Sequence, residues 1–455
     1  MSVSLLPSTA ASPAAGSRPG APPVIDILRF NTCGSVDDGK STLIGRLLYD
    51  SKSLMEDQLE ALARSADITG GGQINLANLT DGLRAEREQG ITIDVAYRYF
   101  ATPRRRFIIA DTPGHVQYTR NMVTGASTAN LSIVLVDARA GVIEQSRRHT
   151  AIASLLRIPH LVVAVNKMDL VDWSEARFNE IRAQFEEFLP RLDIKDVKFI
   201  PLSALNGDNV VEPSRHTPWY VGPTLLGHLE SVHIASDWNL HGLRLPVQWV
   251  NRPNNPTDAR LHDFRGFSGQ IAGGIVRVGQ EVMALPSGLK TTVKQIWTYD
   301  GPAPEAFCPQ SVTVVLEHDL DVSRGSMLVG RDPYPGAGTE LVARVAWMHP
   351  RPLQRGKKYV LKHTTNTVQA AVIDIEHRLN LDRFDPEPDP AELAVNDIGR
   401  VRLRTAKPIF YDGYETNRLT GSFILIEQGT NATVAAGMLL PPREVVRPEL
   451  SDYAI

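Results

Sequence analysis

Apolar and polar positions follow two different rhythms along this chain. Between residues 24 and 237, short apolar runs alternate with stretches whose apolar residues recur every third or fourth position. The runs IDILRFNTC, RFIIAD, LSIVLVDA, LVVAVNK and KFIPLSA are rich in β-branched residues and read as buried strands. The intervening STLIGRLLYD and RFNEIRAQFEEFL read as amphipathic helices. Strand–helix alternation predicts a mostly parallel sheet covered by helices. Beyond about Leu240 the rhythm shortens to alternating runs punctuated by Gly, Pro, Asn and Asp: LPVQWV, GQIAGGIVRVGQEVMAL, TTVKQIWTY and VTVVLEHDL. After DPYPGAG, which reads as a linker, come LVARVAWM, KKYVLKHTT, TVQAAVIDIEH, DIGRVRLRT and GSFILIEQ. This is the grammar of all-β barrels.

The expected fold is therefore multidomain. A tail over 1–23 precedes an α/β phosphate-loop domain over 24–237, with β-barrel domains over 238–334 and 335–455. Trp249, Phe264, Phe267 and Trp297 lie at strand spacing and are expected in a barrel core rather than at an interface. The acidic, proline-rich DRFDPEPDPAE is expected to be a solvated loop. No internal repeat is evident.

Composition narrows the picture. The 455 residues suffice for roughly three domains. The 48 basic and 51 acidic side chains give 48 − 51 = −3, with no basic surplus for wrapping nucleic acid, so no nucleic-acid partner is expected. Two cysteines far apart, Cys33 and Cys308, exclude a disulfide framework and suit a reducing cytoplasm. No apolar run approaches the roughly 18–20 residues that span a bilayer, so no membrane partner is expected either. The first 23 residues, rich in Ala, Ser, Pro and Gly, lack a basic start and a continuous apolar stretch. They read as a disordered tail rather than a signal peptide.

The chemistry begins at GSVDDGKST, comprising Gly34, Ser35, Val36, Asp37, Asp38, Gly39, Lys40, Ser41 and Thr42. Its first eight residues have the spacing G-x-x-x-x-G-K-[ST], after a strand and opening a helix, which is the context a phosphate loop requires. Glycines let backbone N–H groups converge on phosphates, and the helix N-terminus adds partial positive charge. Lys40 supplies a point charge to the phosphates, and the Ser41 hydroxyl coordinates Mg²⁺.

Guanine selection is expected from NKMD, comprising Asn166, Lys167, Met168 and Asp169. The Asp169 carboxylate can accept from the guanine ring nitrogen and its exocyclic amine. Adenine offers no such pair, and a carboxylate left unpaired there would cost roughly 1–3 kcal/mol or more. Asn166 and the Lys167 stem would frame the base, with SAL (Ser203, Ala204 and Leu205) behind it. DTPGH, comprising Asp111, Thr112, Pro113, Gly114 and His115, closes a strand. There Asp111 is expected in the Mg²⁺ shell, the Gly114 N–H against the γ-phosphate, and His115 orienting the attacking water. In EREQGITID, Thr92 is the candidate to close over Mg²⁺ and the γ-phosphate of GTP and to release with GDP.

Together GSVDDGKST, GITID, DTPGHVQYTRNM, NKMD and SAL resemble the translation-factor GTPases of the elongation factor Tu type. The segments TCGSVDDGKSTLIGRLLYDSK, DGLRAEREQGITIDVAYRYF, DFRGFSGQIAGG and GSFILIEQGTNATVAAGM further resemble the large, GTP-hydrolysing subunit of bacterial sulfate adenylyltransferase. That resemblance implies a smaller partner subunit carrying the ATP and sulfate site. It also implies GTP hydrolysis driving adenylyl sulfate and pyrophosphate formation, in sulfate assimilation for cysteine biosynthesis. By the same resemblance Val36 and Ile91 would form an apolar gate in front of His115, and Asp37 would lie near a monovalent cation. Val116 departs from the family's acidic residue after DTPGH. With no second phosphate loop before Ile455, no fused adenylylsulfate kinase is expected.

The alternative is a translation factor delivering aminoacyl-tRNA, which the nucleotide motifs alone do not separate. The insertion from Tyr49 to Thr92 and the segments above favour the sulfate-activating family. NKMD with SAL disfavours an ATP-using kinase or transporter.

Overall fold

The computed structural model describes residues 26–52, 94–114, 119–194, 196–234, 238–253, 263–380, 383 and 385–442. The 1–23 tail, Ile91, Thr92, His115 and Val116 lie outside the described residues.

The first layer is a six-stranded sheet in the order β2 (Ala96–Ala101), β3 (Arg106–Asp111), β1 (Ile27–Cys33), β4 (Leu131–Asp137), β5 (His160–Asn166), β6 (Asp196–Pro201). All neighbours pair in parallel except β2, which runs antiparallel to β3 at the edge. Among the described residues the α-helices are α1 (Lys40–Asp50), α2 (Thr119–Ala126), α3 (Glu144–Leu155), α4 (Glu175–Phe188) and α5 (Leu225–Ser231).

Strand β4 is buried at all seven positions. Leu131, Ile133 and Leu135 enter one apolar cluster with Leu43, Leu47 and Leu229, while Val134 and Val136 enter another with Ile152, Phe178 and Phe185. That is why the run is continuously apolar: successive side chains serve opposite cores. Each such side chain contributes about 1.5–3 kcal/mol. Ser174 and Thr224 start α4 and α5 by accepting from Arg177 N and Gly227 N.

Two large antiparallel sheets follow, with two two-stranded ones beside them. In the first, Arg244–Pro246, Met327–Val329, Glu281–Leu285, Leu289–Thr298, Ser311–Leu316, Gly266–Gln270 and Trp249–Asn251 are successive neighbours around one core. In the second, Lys358–His363, Ser422–Ile426, Thr433–Leu439, Gly336–Trp347, Ile398–Tyr411 and Asn366–Asn380 are neighbours, and pairing of Lys358–His363 with Asn366–Asn380 closes the barrel.

Three expectations are corrected here. Of the four aromatics assigned to a core, only Phe267 is buried. Trp249 is 67% exposed, and Phe264 and Trp297 are half-buried. Trp297 registers with Thr313, Thr313 with Ser268, and Ser268 with Trp249, so this row faces outward while Phe267 faces in. Within the acidic, proline-rich segment, Asp385–Pro388 pairs with the end of Asn366–Asn380 as an edge strand, where proline is tolerated. The linker DPYPGAG is strand from Gly336.

The turn from Asp412 to Arg418 ties the layers together. Asp412 takes a bidentate ion pair from Arg244 of the first barrel, both contacts at 2.9 Å. Asn417 Nδ2 donates to Ala272 O at 2.9 Å. Toward the α/β layer, Tyr414 Oη donates to Leu156 O at 3.1 Å, Arg157 pairs with Glu415 at 2.9 Å, and Arg418 donates to Ser127 O at 2.7 Å. Because Arg244 is only 2% exposed, Arg244→Ala should cost about 3–5 kcal/mol in urea denaturation, by leaving a carboxylate desolvated. A loss below about 1 kcal/mol, the range of exposed pairs, would show that the contact is solvent-like.

Candidate functional site

Parallel strands send the loops that follow them to one edge of the sheet. Gly34 follows β1, Thr112 follows β3, Ala138 follows β4, Lys167 follows β5 and Leu202 follows β6. The predicted motifs are spread over 172 positions, from Gly34 to Leu205, and the fold brings their described parts into direct contact.

The phosphate loop turns tightly. Asp37 (φ 68°) and Gly39 (φ 93°) are left-handed, and Gly39 caps α1. A Cβ at Gly39 would lie 2.5 Å from Asn166 Nδ2, so this position has both a conformational and a steric need for glycine. Ser35 N donates to Asp38 Oδ2 at 2.5 Å. Burial pushes the Asp38 carboxyl above its usual range, and the Ser35 N–H and the Lys40 charge oppose that shift. Lys40 Nζ donates to Gly34 O at 3.1 Å and to Ser35 O at 3.0 Å. Burial lowers its pKa, and the carboxylates of Asp111 and Asp38 counter the effect. Val36 stands 36% exposed on the loop, and Ser41 and Thr42, half-buried, continue the first turn of α1.

Asn166 is the junction. Its Nδ2 donates to Asp38 O at 2.7 Å, and its Oδ1 accepts from Ala204 N at 2.9 Å. One amide therefore spans NKMD, the phosphate loop and SAL. Lys167, left-handed at φ 63°, donates to Asp37 O and pairs with Asp137 at 3.0 Å. Met168 is fully buried, and Asp169 is half-buried in the 3₁₀ turn Met168–Val171. Ser203 and Ala204 are buried and Leu205 is exposed. Arg46 of α1 donates to the carbonyls of Ala204 and Leu205.

Asp111 at the end of β3 is 2% exposed and accepts from Thr32 Oγ1 at 3.4 Å. Thr112 Oγ1 donates to Thr32 O at 2.6 Å, which pins this turn to β1. Pro113 and Gly114 are buried. Gly114 packs so closely that a Cβ there would lie 2.3 Å from Gly34 O and 2.4 Å from Lys40 Nζ.

A hydroxyl (Ser41) and a buried carboxylate (Asp111) flanking the phosphate-loop lysine are hard oxygen donors, the set that suits Mg²⁺ bound together with phosphate. When bound, that ion supplies charge neutralisation between phosphate oxygens.

Sequence reasoning missed three residues. Asp137, at the end of β4, holds Lys167 and pairs with Arg139 at 2.6 Å. Burial would raise its pKa, but hydrogen bonds from Arg139 and Lys167 outweigh burial and hold it well below the usual carboxylate range. Its strand-end position opposite Asn166 was the available signal. Gln145 and His149 of α3, both buried, had none, because an i, i+4 polar pair on a helix reads as a solvated face.

An α/β sheet with a phosphate loop at its carboxyl edge, followed by two β-barrels, is the build of the translation-factor class of GTPases. Consistent with this, the elongation factor Tu GTP binding domain profile matches residues 25–240, and the GTP-eEF1A C-terminal domain-like profile matches residues 340–440. Sulfate adenylyltransferase subunit 1 of Bacteroides fragilis is 56% identical over 91% of this chain and 86% of its own. The protein of the same name from Alteromonas mediterranea is 51% identical over 91% and 87%. Bifunctional enzyme CysN/CysC of Mycobacterium tuberculosis is 55% identical over 91% of this chain and 67% of its own. The chain belongs to the sulfate adenylyltransferase subunit 1 family.

Both cysteines are free and buried. Burial pushes the thiol of Cys33, which directly precedes the phosphate loop, up to about 12, and that of Cys308 up to about 11. At pH 8 the Cys33 thiol is therefore protonated and unreactive. Iodoacetamide should leave both thiols unmodified in the folded protein and alkylate both in guanidinium, as read by intact mass. Rapid labelling of the folded chain would contradict this burial.

Proposed function

We propose that this chain is the GTP-hydrolysing subunit of a two-subunit sulfate adenylyltransferase, in which GTP hydrolysis drives formation of adenylyl sulfate and pyrophosphate from ATP and sulfate. The observation that carries the reading is the 51–56% identity to proteins named sulfate adenylyltransferase subunit 1. The single amide of Asn166 joining phosphate loop, NKMD and SAL supports guanine-nucleotide binding at this edge. The name "subunit 1" supports a partner, which we take to be a smaller subunit holding the ATP and sulfate site. The same names weigh against delivery of aminoacyl-tRNA.

In this reading the phosphate-loop N–H groups and Lys40 hold the β- and γ-phosphates, Ser41 and Asp111 hold Mg²⁺, and Asp169 selects guanine. Asn166 and Lys167 frame the base, with Ser203, Ala204 and Leu205 behind it. Thr92 closes over Mg²⁺ and the γ-phosphate, and His115, entering past Val36 and Ile91, orients the water. Asp37 stands beside a monovalent cation. Hydrolysis can drive an unfavourable adenylylation only if GTP and GDP favour different conformations of the assembly, since binding both conformations equally shifts nothing. Among the described residues no helix is long and apolar enough to cross a membrane. Two free buried cysteines suit a cytoplasmic setting.

Asp169→Asn should weaken GTP binding about tenfold or more and favour xanthosine triphosphate, because the amide presents a donor where guanine also presents one. Calorimetry returning unchanged GTP affinity would remove NKMD as the base site.

Co-expression with a smaller adenylyltransferase subunit should yield a complex that releases pyrophosphate from ATP and sulfate only when GTP is supplied. GTP-independent turnover by that complex would break the coupling. Protection of aminoacyl-tRNA from hydrolysis by this chain would replace the reading altogether.

A further inference from the structure

The buried pair Gln145 and His149 on α3 has no part in the nucleotide shell described above, yet it reaches that shell directly. Gln145 Nε2 donates to Gly114 O at 2.9 Å and lies 2.9 Å from His149 Nε2. Two amide hydrogens serve both contacts if His149 Nε2 is the acceptor, which puts the ring proton on Nδ1. His149 is 2% exposed, and its Nδ1 has no hydrogen-bond partner among the described residues. Burial, with the charges of Lys40 and Arg148 nearby, lowers its pKa to about 3, so the ring is neutral and able to accept.

The pair holds a particular arrangement of Gly114. With a Cβ at Gly114 only 2.4 Å from Lys40 Nζ and 2.3 Å from Gly34 O, the glycine backbone occupies the side of the lysine ammonium that it faces. A phosphate oxygen within hydrogen-bond reach of Nζ on that side would overlap Gly114. A γ-phosphate taken up on that side displaces Gly114, and that movement breaks or lengthens the bond from Gln145.

We propose that Gln145, oriented by His149, is a positioning residue that latches the Gly114 carbonyl in the arrangement compatible with GDP and so sets the preference of this site between GDP and GTP. This inference rests on the guanine-nucleotide reading above. Since the bond is made in one arrangement and not in the other, removing it shifts the balance by the strength of that bond. A buried neutral hydrogen bond of ordinary net strength corresponds to a shift of about fivefold. Helix α3 also extends the consequence of the latch. It carries Gln145 at one end, and just past its other end the Leu156 carbonyl accepts from Tyr414 Oη of the second barrel.

The test is Gln145→Met, which keeps the length of the side chain and removes the donor. Dissociation constants for GDP and for a non-hydrolysable GTP analogue are measured by calorimetry on the full chain, with nucleotide-free thermal melting as the fold control. The ratio of the analogue constant to the GDP constant should fall about fivefold. His149→Phe should move the ratio in the same direction by less, because the amide loses its orienting acceptor. A merely structural role would weaken both nucleotides alike and leave the ratio in place. An unchanged or rising ratio in either folded variant overturns the latch. If Gln145→Met does not fold, His149→Phe and Gln145→Ala carry the same measurement. Failure of the unmutated chain to bind either nucleotide would instead sink the guanine-nucleotide reading itself.

Discussion

The site depends on a constraint of direction: strands that run parallel deliver the loops after them to the same edge. Here β1, β3, β4, β5 and β6 all point one way, so Gly34, Thr112, Ala138, Lys167 and Leu202 emerge side by side. The antiparallel strand β2 lies at the margin of the sheet and starts rather than ends at that edge, with Ala96 registered with Asp111. What holds the strands in this order is the two-sided burial of β4. A one-residue slip in its register would exchange Ile133 with Val134 between the two cores and misplace Asp137 relative to Asn166.

Directional convergence brings the loops near one another, and side chains then fix them. Asn166 uses both ends of one amide, accepting from one loop and donating to another, which neither a carboxylate nor an ammonium could do. Lys167 and Asp137 repeat the device with charge, across neighbouring strand ends. The turn at 412–418 does the same at larger scale. It uses Arg244 on one side and Leu156, Arg157 and Ser127 on the other. That arrangement bonds the α/β layer to both barrels, and the second barrel is reached from α2 through Arg120 as well as from just past α3.

Much of this was legible in the sequence, for identifiable reasons. The phosphate loop, NKMD and DTPGH are local patterns whose spacing already encodes geometry, and continuous apolar runs revealed strands buried on both faces. Other features were illegible because they depend on partners far away in the chain. Trp249 looks like a core residue until its register with Ser268, Thr313 and Trp297 shows that the row faces outward. Asp385–Pro388 has the composition of a loop and is an edge strand only because Asn366–Asn380 extends far enough to pair with it. Gln145 and His149 are polar on a helix and yet buried, a conflict that no periodicity resolves. Tertiary packing against the DTPG turn overrides the local pattern.

The charges at the phosphate edge also limit what this edge can bind. Lys40 is the buried cation of the phosphate loop, with Asp38 and Asp111 both buried close to it. A polyphosphate arriving alone would meet one ammonium and two carboxylates in a region where burial strengthens every electrostatic term. Backbone N–H groups at the start of α1 offset part of that repulsion. They do not offset a full triphosphate charge beside Asp111. A divalent cation held by Ser41 and Asp111 would supply that offset, turning a repelling carboxylate into part of a binding shell. On the proposed reading, then, nucleotide and Mg²⁺ bind as one unit.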